Sequence, residues 1–228
     1  TITATDTASG ISATAAATVA PPPPAVPVAL THFDATAGAA ESRFTVDGLD
    51  PAVEYLVRVS TTAAVDAALV TVAVAPDATY GQRVCRTWAA GPACRAGVPS
   101  ANGELFVGVS APSGTTFTVD VAPLPLLRPG DPAAVATVRT EAYHKLVGLA
   151  PGAFQAALDG LGDPAADLFS YDGPRGPLGA ALLCATVRAD PLPSKSCIAA
   201  VPASGASYVT VEGWLTASGT DYALSVAQ

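Results

Sequence analysis

The chain repeats itself at an interval of about 100 residues, and this internal repeat limits the folds that are open to it. The turn sequence Gly-Leu-Asp-Pro at 48–51 returns as Gly-Leu-Ala-Pro at 148–151. Segments 103–109 and 114–121 return at 205–211 and 219–226, each with a leading glycine and an aromatic residue three positions later. The offset varies from 99 to 105 residues, as loop insertions produce. We therefore expect two copies of one domain.

Each copy shows the two-residue period of β-strands. Tyr55, Val57 and Val59 fall on one face of a strand, and Leu56 and Arg58 fall on the other. The 20 Gly and 21 Pro residues separate short apolar runs, which is typical of many strands and turns. Segment 152–161 is the one stretch that resembles a helix, and its alternation favours a strand. The sequence predicts an all-β protein of two tandem jelly-roll or Ig-like antiparallel β-sandwich domains.

The repeat and the proline-rich stretches suggest domain boundaries. Residues 28–123 are expected to form the first β-sandwich domain and residues 133–228 the second, joined by a linker at 124–132. A proline-rich linker at 21–27 precedes the first domain, and prolines at 21–24 make it a semi-rigid spacer.

Residues 1–20 read as two alternating β-segments, 1–7 and 12–19, around an Ala-Ser-Gly turn. A two-stranded hairpin alone is marginally stable in water, because it has no second layer to bury its apolar face. This segment resembles the last two strands of a bacterial Ig-like repeat. It is interpreted either as the end of a truncated domain or as a strand segment exchanged with a neighbour.

The four cysteines form two local pairs, Cys85 with Cys94 and Cys184 with Cys197. Their spacing fits neither a zinc site nor a redox-active Cys-x-x-Cys motif. Three disulfide connectivities are possible, and we favour the two local pairs because each closes one loop of one domain. Each bridge would contribute about 2–3 kcal/mol. This prediction implies an oxidising compartment, and hence a secreted or cell-surface protein; buried free thiols are the alternative.

The repeat unit resembles the bacterial pre-peptidase C-terminal (PPC) domain. The resemblance rests on the Gly-Leu-x-Pro turn before a Tyr-x-Val-x-Val strand, and on the closing Gly-Thr-Asp-Tyr-Ala-Leu-Ser-Val of the second copy. It implies a small non-catalytic jelly-roll sandwich that binds polymers or assists secretion. Asp66 and Asp167 lie where that family has an aspartate-rich strand. Because each copy keeps a single aspartate there, the calcium ligation of collagen-binding relatives is not expected, and no metal or cofactor is predicted.

Neither histidine is expected to be catalytic. His32 precedes Asp34 by two residues and His144 adjoins Lys145, and neither has a counterpart in the other copy. Both are interpreted as ordinary surface or half-buried side chains. The motifs of nucleophile elbows, zinc proteases and phosphate-binding loops are absent from the sequence. The sequence therefore predicts a protein that is not an enzyme.

The remaining acidic and amide side chains are expected to have structural roles. The paired carboxylates Asp47 with Asp50 and Asp159 with Asp163 are expected to lie in turns and to accept hydrogen bonds from backbone amides, with a weak calcium site as the alternative. A Lys–Asn isopeptide cross-link is not expected, since Asn102 is the sole asparagine and lies in a predicted turn.

Candidate binding residues are Trp88 and Arg86 in the first cysteine loop, and Trp214 in the last hairpin turn. The expected partner is a protein or polysaccharide surface, or copies of the chain itself. The net charge of −8 and the absence of a basic cluster exclude nucleic acid, and no apolar run is long enough for membrane insertion. The sequence favours a non-catalytic extracellular module that attaches a secreted or surface protein to its partner. The alternative is a structural subunit of an extracellular fibre, assembled through its N-terminal strands.

Overall fold

Every regular element that the structure describes is a β-strand, as the sequence predicts. The computed structural model describes the backbone of residues 2–5, 12–15, 26–28, 31–61, 69–73, 84–86, 93–97, 99–138, 141–160, 166–173, 180–186, 194–213 and 220–228. It describes side chains within 31–61, 99–138, 141–159, 166–173, 180–186, 194–213 and 220–228. This part of the chain contains no helix with the length and hydrophobicity of a membrane span.

The first repeat forms two facing sheets. Its described strands are β3 (Val26–Val28), β4 (His32–Thr36), β5 (Ser42–Val46), β6 (Tyr55–Thr61), β7 (Leu69–Ala73), β8 (Val84–Arg86), β9 (Ala93–Gly97), β10 (Leu105–Ser110) and β11 (Thr116–Pro123). One sheet has the order β3-β5-β10-β7-β8 and the other the order β4-β11-β6-β9. All pairs are antiparallel except β3 with β5.

The second repeat has the same topology, strand for strand. Its described strands are β12 (Leu126–Leu127), β13 (Ala134–Val138), β14 (Glu141–Leu146), β15 (Ala153–Gly160), β16 (Asp167–Tyr171), β17 (Leu182–Thr186), β18 (Ser194–Ala200), β19 (Ser207–Glu212) and β20 (Thr220–Ala227). The sheet orders are β12-β14-β19-β16-β17 and β13-β20-β15-β18. Segment 152–161 is thus confirmed as a strand, β15. Each predicted linker contributes the short parallel edge strand, β3 or β12, of the sheet that follows it.

The period of two places one hydrophobic core between the sheets of each repeat. In the first repeat, Val57 and Val119 of one sheet face Val46, Val107 and Val109 of the other, all with 0% exposure. Phe44 and Phe117 meet edge to face between the sheets, with ring centroids 6.0 Å apart. Burying each such side chain stabilises the fold by roughly 1.5–3 kcal/mol. The core of the second repeat is built in the same way, and its fully buried side chains include Leu146, Phe154, Leu158, Leu168, Val209, Tyr222 and Leu224.

In the first repeat, a close backbone contact joins the Gly-Leu turn to a later glycine. The amide of Leu49 donates to the carbonyl of Gly103 over 3.0 Å. Gly103 has a φ of +75°, and a Cβ at this position would lie 2.3 Å from the Leu49 carbonyl oxygen. Only glycine meets both requirements. The contact fixes the turn before β6 against the turn before β10.

The N-terminal strands β1 (Ile2–Thr5) and β2 (Ser12–Ala15) form an antiparallel pair, with Ile2 opposite Ala15. Among the strands that the structure describes, these two pair only with each other. The predicted hairpin is therefore present as a separate two-stranded sheet.

Candidate functional site

The binding residues predicted from the sequence lie outside the described side chains. Trp88 and Trp214 fall in segments that the structure does not describe, and Arg86 is described only as backbone in β8. They therefore stay predictions.

One of the two predicted disulfides is present. Cys184 of β17 and Cys197 of β18 are bonded, with their Cα atoms 5.8 Å apart. These strands are edges of opposite sheets, so the bridge joins the two layers of the second repeat. Cys85 and Cys94 lie on β8 and β9, the equivalent edge strands of the first repeat, but their side chains are outside the described residues. Their pairing stays a prediction.

A buried ion pair lies beside this disulfide. Lys195 stands two positions before Cys197 on β18, and both side chains point into the sandwich. Lys195 Nζ donates to Asp167 Oδ1 over 2.9 Å, and the two side chains are 2% and 8% exposed. Asp167 opens β16 in the opposite sheet, so the pair also bridges the two layers. Asp167 is thus the hydrogen-bond acceptor of a lysine in the opposite sheet.

Asp167 ends a row of three carboxylates across neighbouring strands, which we call the acidic row: Glu141 of β14, Glu212 of β19 and Asp167. Glu212 is the register partner of Glu141 on one side and of Asp167 on the other. Burial, and then repulsion by Glu141 and Asp167, raise the pKa of Glu212 to about 7. Glu141 also accepts a hydrogen bond from the Tyr143 hydroxyl. A carboxyl group that is half protonated near neutral pH can both donate and accept protons.

A second polar cluster joins the two repeats. Glu54 precedes β6 in the first repeat, and its Oε1 accepts hydrogen bonds from Lys145 Nζ at 3.0 Å and from Tyr208 OH at 2.7 Å. Burial lowers the Lys145 pKa, but the bonds to Glu54 and Tyr208 outweigh it, so the pKa lies above its ordinary value. The Lys145 ammonium also lies 5.3 Å from the Tyr208 ring centroid.

Apolar side chains complete this junction. Leu56, Leu124 and Tyr208 form a buried cluster, with Tyr143 packed against it. The sequence predicts that Leu56 lies on the outward face of its strand. In the structure its side chain does point away from the core of the first repeat. It is nevertheless only 2% exposed, because Tyr208 of the second repeat covers it.

Main-chain hydrogen bonds hold the connection between the repeats in place. The Leu124 amide donates to the Glu54 carbonyl at 2.8 Å, and the Lys145 amide donates to the Pro125 carbonyl at 2.8 Å. The Val147 amide donates to the Leu127 carbonyl at 3.0 Å. The connection is bonded at both ends, so freedom between the repeats is restricted.

Both histidines have structural partners. His32 is exposed and pairs with Asp120 on the next strand; this hydrogen bond and the Asp120 charge raise the pKa of His32. The prediction of a surface or half-buried side chain is wrong for His144, which is only 6% exposed. Its Nε2 lies 2.8 Å from the hydroxyl of Tyr222 in the opposite sheet. The even-numbered residues of β14, which include His144, face the core. The presence of Lys145 next to His144 in the sequence does not reveal this.

The predicted turn carboxylates divide into two cases. Asp50 lies in a turn, and its Oδ1 accepts the Ala52 amide at 2.8 Å, as predicted. Asp159 instead lies in strand β15, so its assignment to a turn is wrong; Asp163 is outside the described residues. Within the described part of the chain, no group of three or more His, Cys, Asp or Glu side chains is placed to hold a metal ion.

Sequence reasoning missed Lys195, Glu212 and Glu54. One signal was available for Lys195: it is one of two lysines in the chain, and its spacing from Cys197 places it on the buried face of a strand. Glu212 and Glu54 gave no such signal, because their environments depend on strand pairing and on contact between the repeats.

A scan against known protein families finds no match for this chain, and no curated protein matches it.

Proposed function

We propose that the chain is a non-catalytic extracellular module that attaches a secreted or surface protein to a polymer, a cell surface or a protein partner. The observation that carries this proposal is the junction of Glu54, Lys145 and Tyr208, which ties the two repeats into one unit. A tied pair of sandwiches presents a fixed surface, which supports a role in attachment.

The cross-linking of the second repeat supports an extracellular location. The Cys184–Cys197 bridge requires an oxidising compartment to persist. The PPC-like resemblance implies the same setting, and we propose that each repeat is a sandwich of that kind. The burial of His144 against the Tyr222 hydroxyl supports a non-catalytic role for that residue, since its ring is out of reach of a substrate in solution.

Co-sedimentation tests the attachment role. The purified chain is incubated with insoluble cellulose, chitin and collagen fibres, and with bacterial cell-wall sacculi. The proposal expects saturable retention on at least one of these surfaces. A chain with alanine at Trp88, Arg86 and Trp214 separates the predicted binding residues from general adhesion. Equal, non-saturable retention of both chains on every surface would argue against the proposal.

The isolated β1–β2 pair favours a second candidate, a fibre subunit assembled by strand addition. A hairpin without a second layer gains stability by joining a neighbour's sheet. This candidate expects that deletion of residues 1–20 leaves both repeats folded but abolishes assembly. Fibres formed by the deleted chain would exclude it.

A further inference from the structure

The buried ion pair of Lys195 and Asp167 brings together the two functional groups of an amide bond, an amine and a carboxyl group. The amine nitrogen and the carboxyl oxygen are 2.9 Å apart, and both side chains are almost completely buried. We propose that they form an intramolecular isopeptide bond, an amide between Lys195 Nζ and Asp167 Cγ. This bond cross-links the two sheets of the second repeat, and it does not depend on which partner the module binds.

The reaction needs the uncharged forms of both groups. Transfer of one proton along the hydrogen bond from Nζ to Oδ1 gives a neutral amine beside a neutral carboxylic acid, and this transfer is the first step of the proposed reaction. The neutral amine is the nucleophile, and the neutral acid is the better electrophile.

The step balances without a further reagent. Nζ attacks Cγ, and the N–C bond forms as a tetrahedral centre. Nζ then loses one proton, the Cγ–OH bond breaks, and the hydroxyl leaves with that proton as water. Lys-NH₂ and Asp-COOH therefore give the amide and one water, with no oxidation or reduction. The fold supplies the activation by holding the two groups in contact.

Glu212 is positioned to carry the proton. It lies directly across from Asp167 on the neighbouring strand, where paired Cβ atoms are about 4.5–5.5 Å apart. Its pKa of about 7 means that either form is available at neutral pH. The Glu212 carboxyl group gives a proton to the departing hydroxyl of Asp167, and the proton that Nζ releases replaces it, so that Glu212 is regenerated. Glu141, the other charge in the acidic row, keeps the Glu212 proton in place by repulsion.

The cross-link would act together with the disulfide. Lys195 and Cys197 are two residues apart on β18, and they reach β16 and β17 respectively. Two neighbouring covalent bridges would join the same edge strand to the opposite sheet. One bridge is sensitive to reductants and the other is not.

Intact-mass spectrometry of the full chain, after reduction of its disulfides, tests the proposal. The expected mass is that of the sequence less one water, and proteolysis should give one branched peptide that contains both residue 167 and residue 195. The full sequence mass with two linear peptides would overturn the proposal. A mass short by one water without that branched peptide would overturn it as well.

Two variants assign the roles. Lys195→Arg keeps the charge but cannot form the amide, so its full sequence mass is expected while circular dichroism stays that of a β protein. Glu212→Gln keeps the shape of the side chain and removes the exchangeable proton, so cross-linking should slow by about 100-fold or more. Cross-linking of Glu212→Gln at the parent rate would overturn the role of Glu212. Lys145, paired with the more exposed Glu54, is the internal control and should appear only in linear peptides.

Discussion

Lys145 of the second repeat donates a hydrogen bond from Nζ to Oε1 of Glu54 in the first repeat, across 91 residues of sequence. The two side chains are 21% and 16% exposed, so the pair is only partly screened by water. The Tyr208 hydroxyl shares the same acceptor oxygen. This contact is the polar centre of the junction. The orientation of the two repeats is therefore fixed by side-chain contacts as well as by the linker.

We expect Glu54→Gln to weaken the junction. The amide still accepts from Tyr208 but no longer attracts the Lys145 ammonium. A double-mutant cycle with Lys145→Gln, read by urea unfolding, should give a coupling energy of about 1 kcal/mol. Small-angle scattering should show a broader distribution of particle dimensions.

Glu41→Gln is the matched control for the junction. Glu41 pairs with Arg43 inside the first repeat at 2.6 Å, with similar exposure. It should leave the scattering unchanged. A coupling energy near zero for Glu54 and Lys145, with unaltered scattering, would refute the junction as a source of rigidity.

The protonation of Glu212 makes stability depend on pH. Its pKa is raised in the folded state from 4.5 to about 7, so folding disfavours the ionised form. The resulting penalty is absent below about pH 4.5, grows as the pH rises, and is complete above about pH 7. Glu212→Gln removes it, and the variant should gain about 1 kcal/mol relative to its parent at neutral pH, a modest figure because water reaches the carboxyl group.

This comparison is made in the Lys195→Arg background, where no amide can form and the charge is kept. Asp159→Asn, which removes a carboxyl group at an exposed strand position, is the control variant. Parallel stability profiles for Glu212→Gln and its parent between pH 4.5 and 7 would contradict the assignment.

The ion pair of His32 makes stability depend on pH in the opposite direction. Its pKa is raised because it donates to Asp120 and is attracted by that charge. The contribution of the pair to stability is therefore present below the ordinary pKa of 6.5 and is lost as the pH rises through the folded value. NMR titration should show the His32 ring titrating above 6.5, and Asp120→Asn should lower its midpoint. Asp34→Asn should lower it less, since Asp34 is the weakest of the contributing causes. An unchanged midpoint in Asp120→Asn would rule out the pairing.

The parts of the fold that are local in sequence could be predicted, and the parts that depend on distant pairing could not. The alternation of apolar and polar residues places Val57 and Val119 in the core. The short separation of Cys184 and Cys197 predicts that they form a disulfide. Both predictions succeed because each signal lies within one strand or loop. The pair of Lys195 and Asp167 joins two sheets, and its recognition requires the registers of β15 with β18 and of β16 with β19. Leu56 shows the same limit, since its partner belongs to the other repeat.

Truncation of a side chain in the second repeat should lower the free energy of unfolding only when that side chain lies on the core-facing side of its sheet. Phe154 is 1% exposed and faces the core, so Phe154→Ala should cost about 3–5 kcal/mol. Ile198 lies on the neighbouring strand of the same sheet and is exposed, so Ile198→Ala should change stability by less than about 0.5 kcal/mol. Chemical denaturation of both variants measures the difference. Similar losses would mean that the face assignment of this sheet is incorrect.

The most direct test of the central claim is multi-angle light scattering of the full chain and of the chain without residues 1–20. An attachment module whose repeats are complete in themselves predicts a monomer near 22.5 kDa for the full chain, and a monomer for the shortened one. Polymers of the full chain that disappear on removal of the β1–β2 pair would contradict the account and establish the fibre subunit in its place.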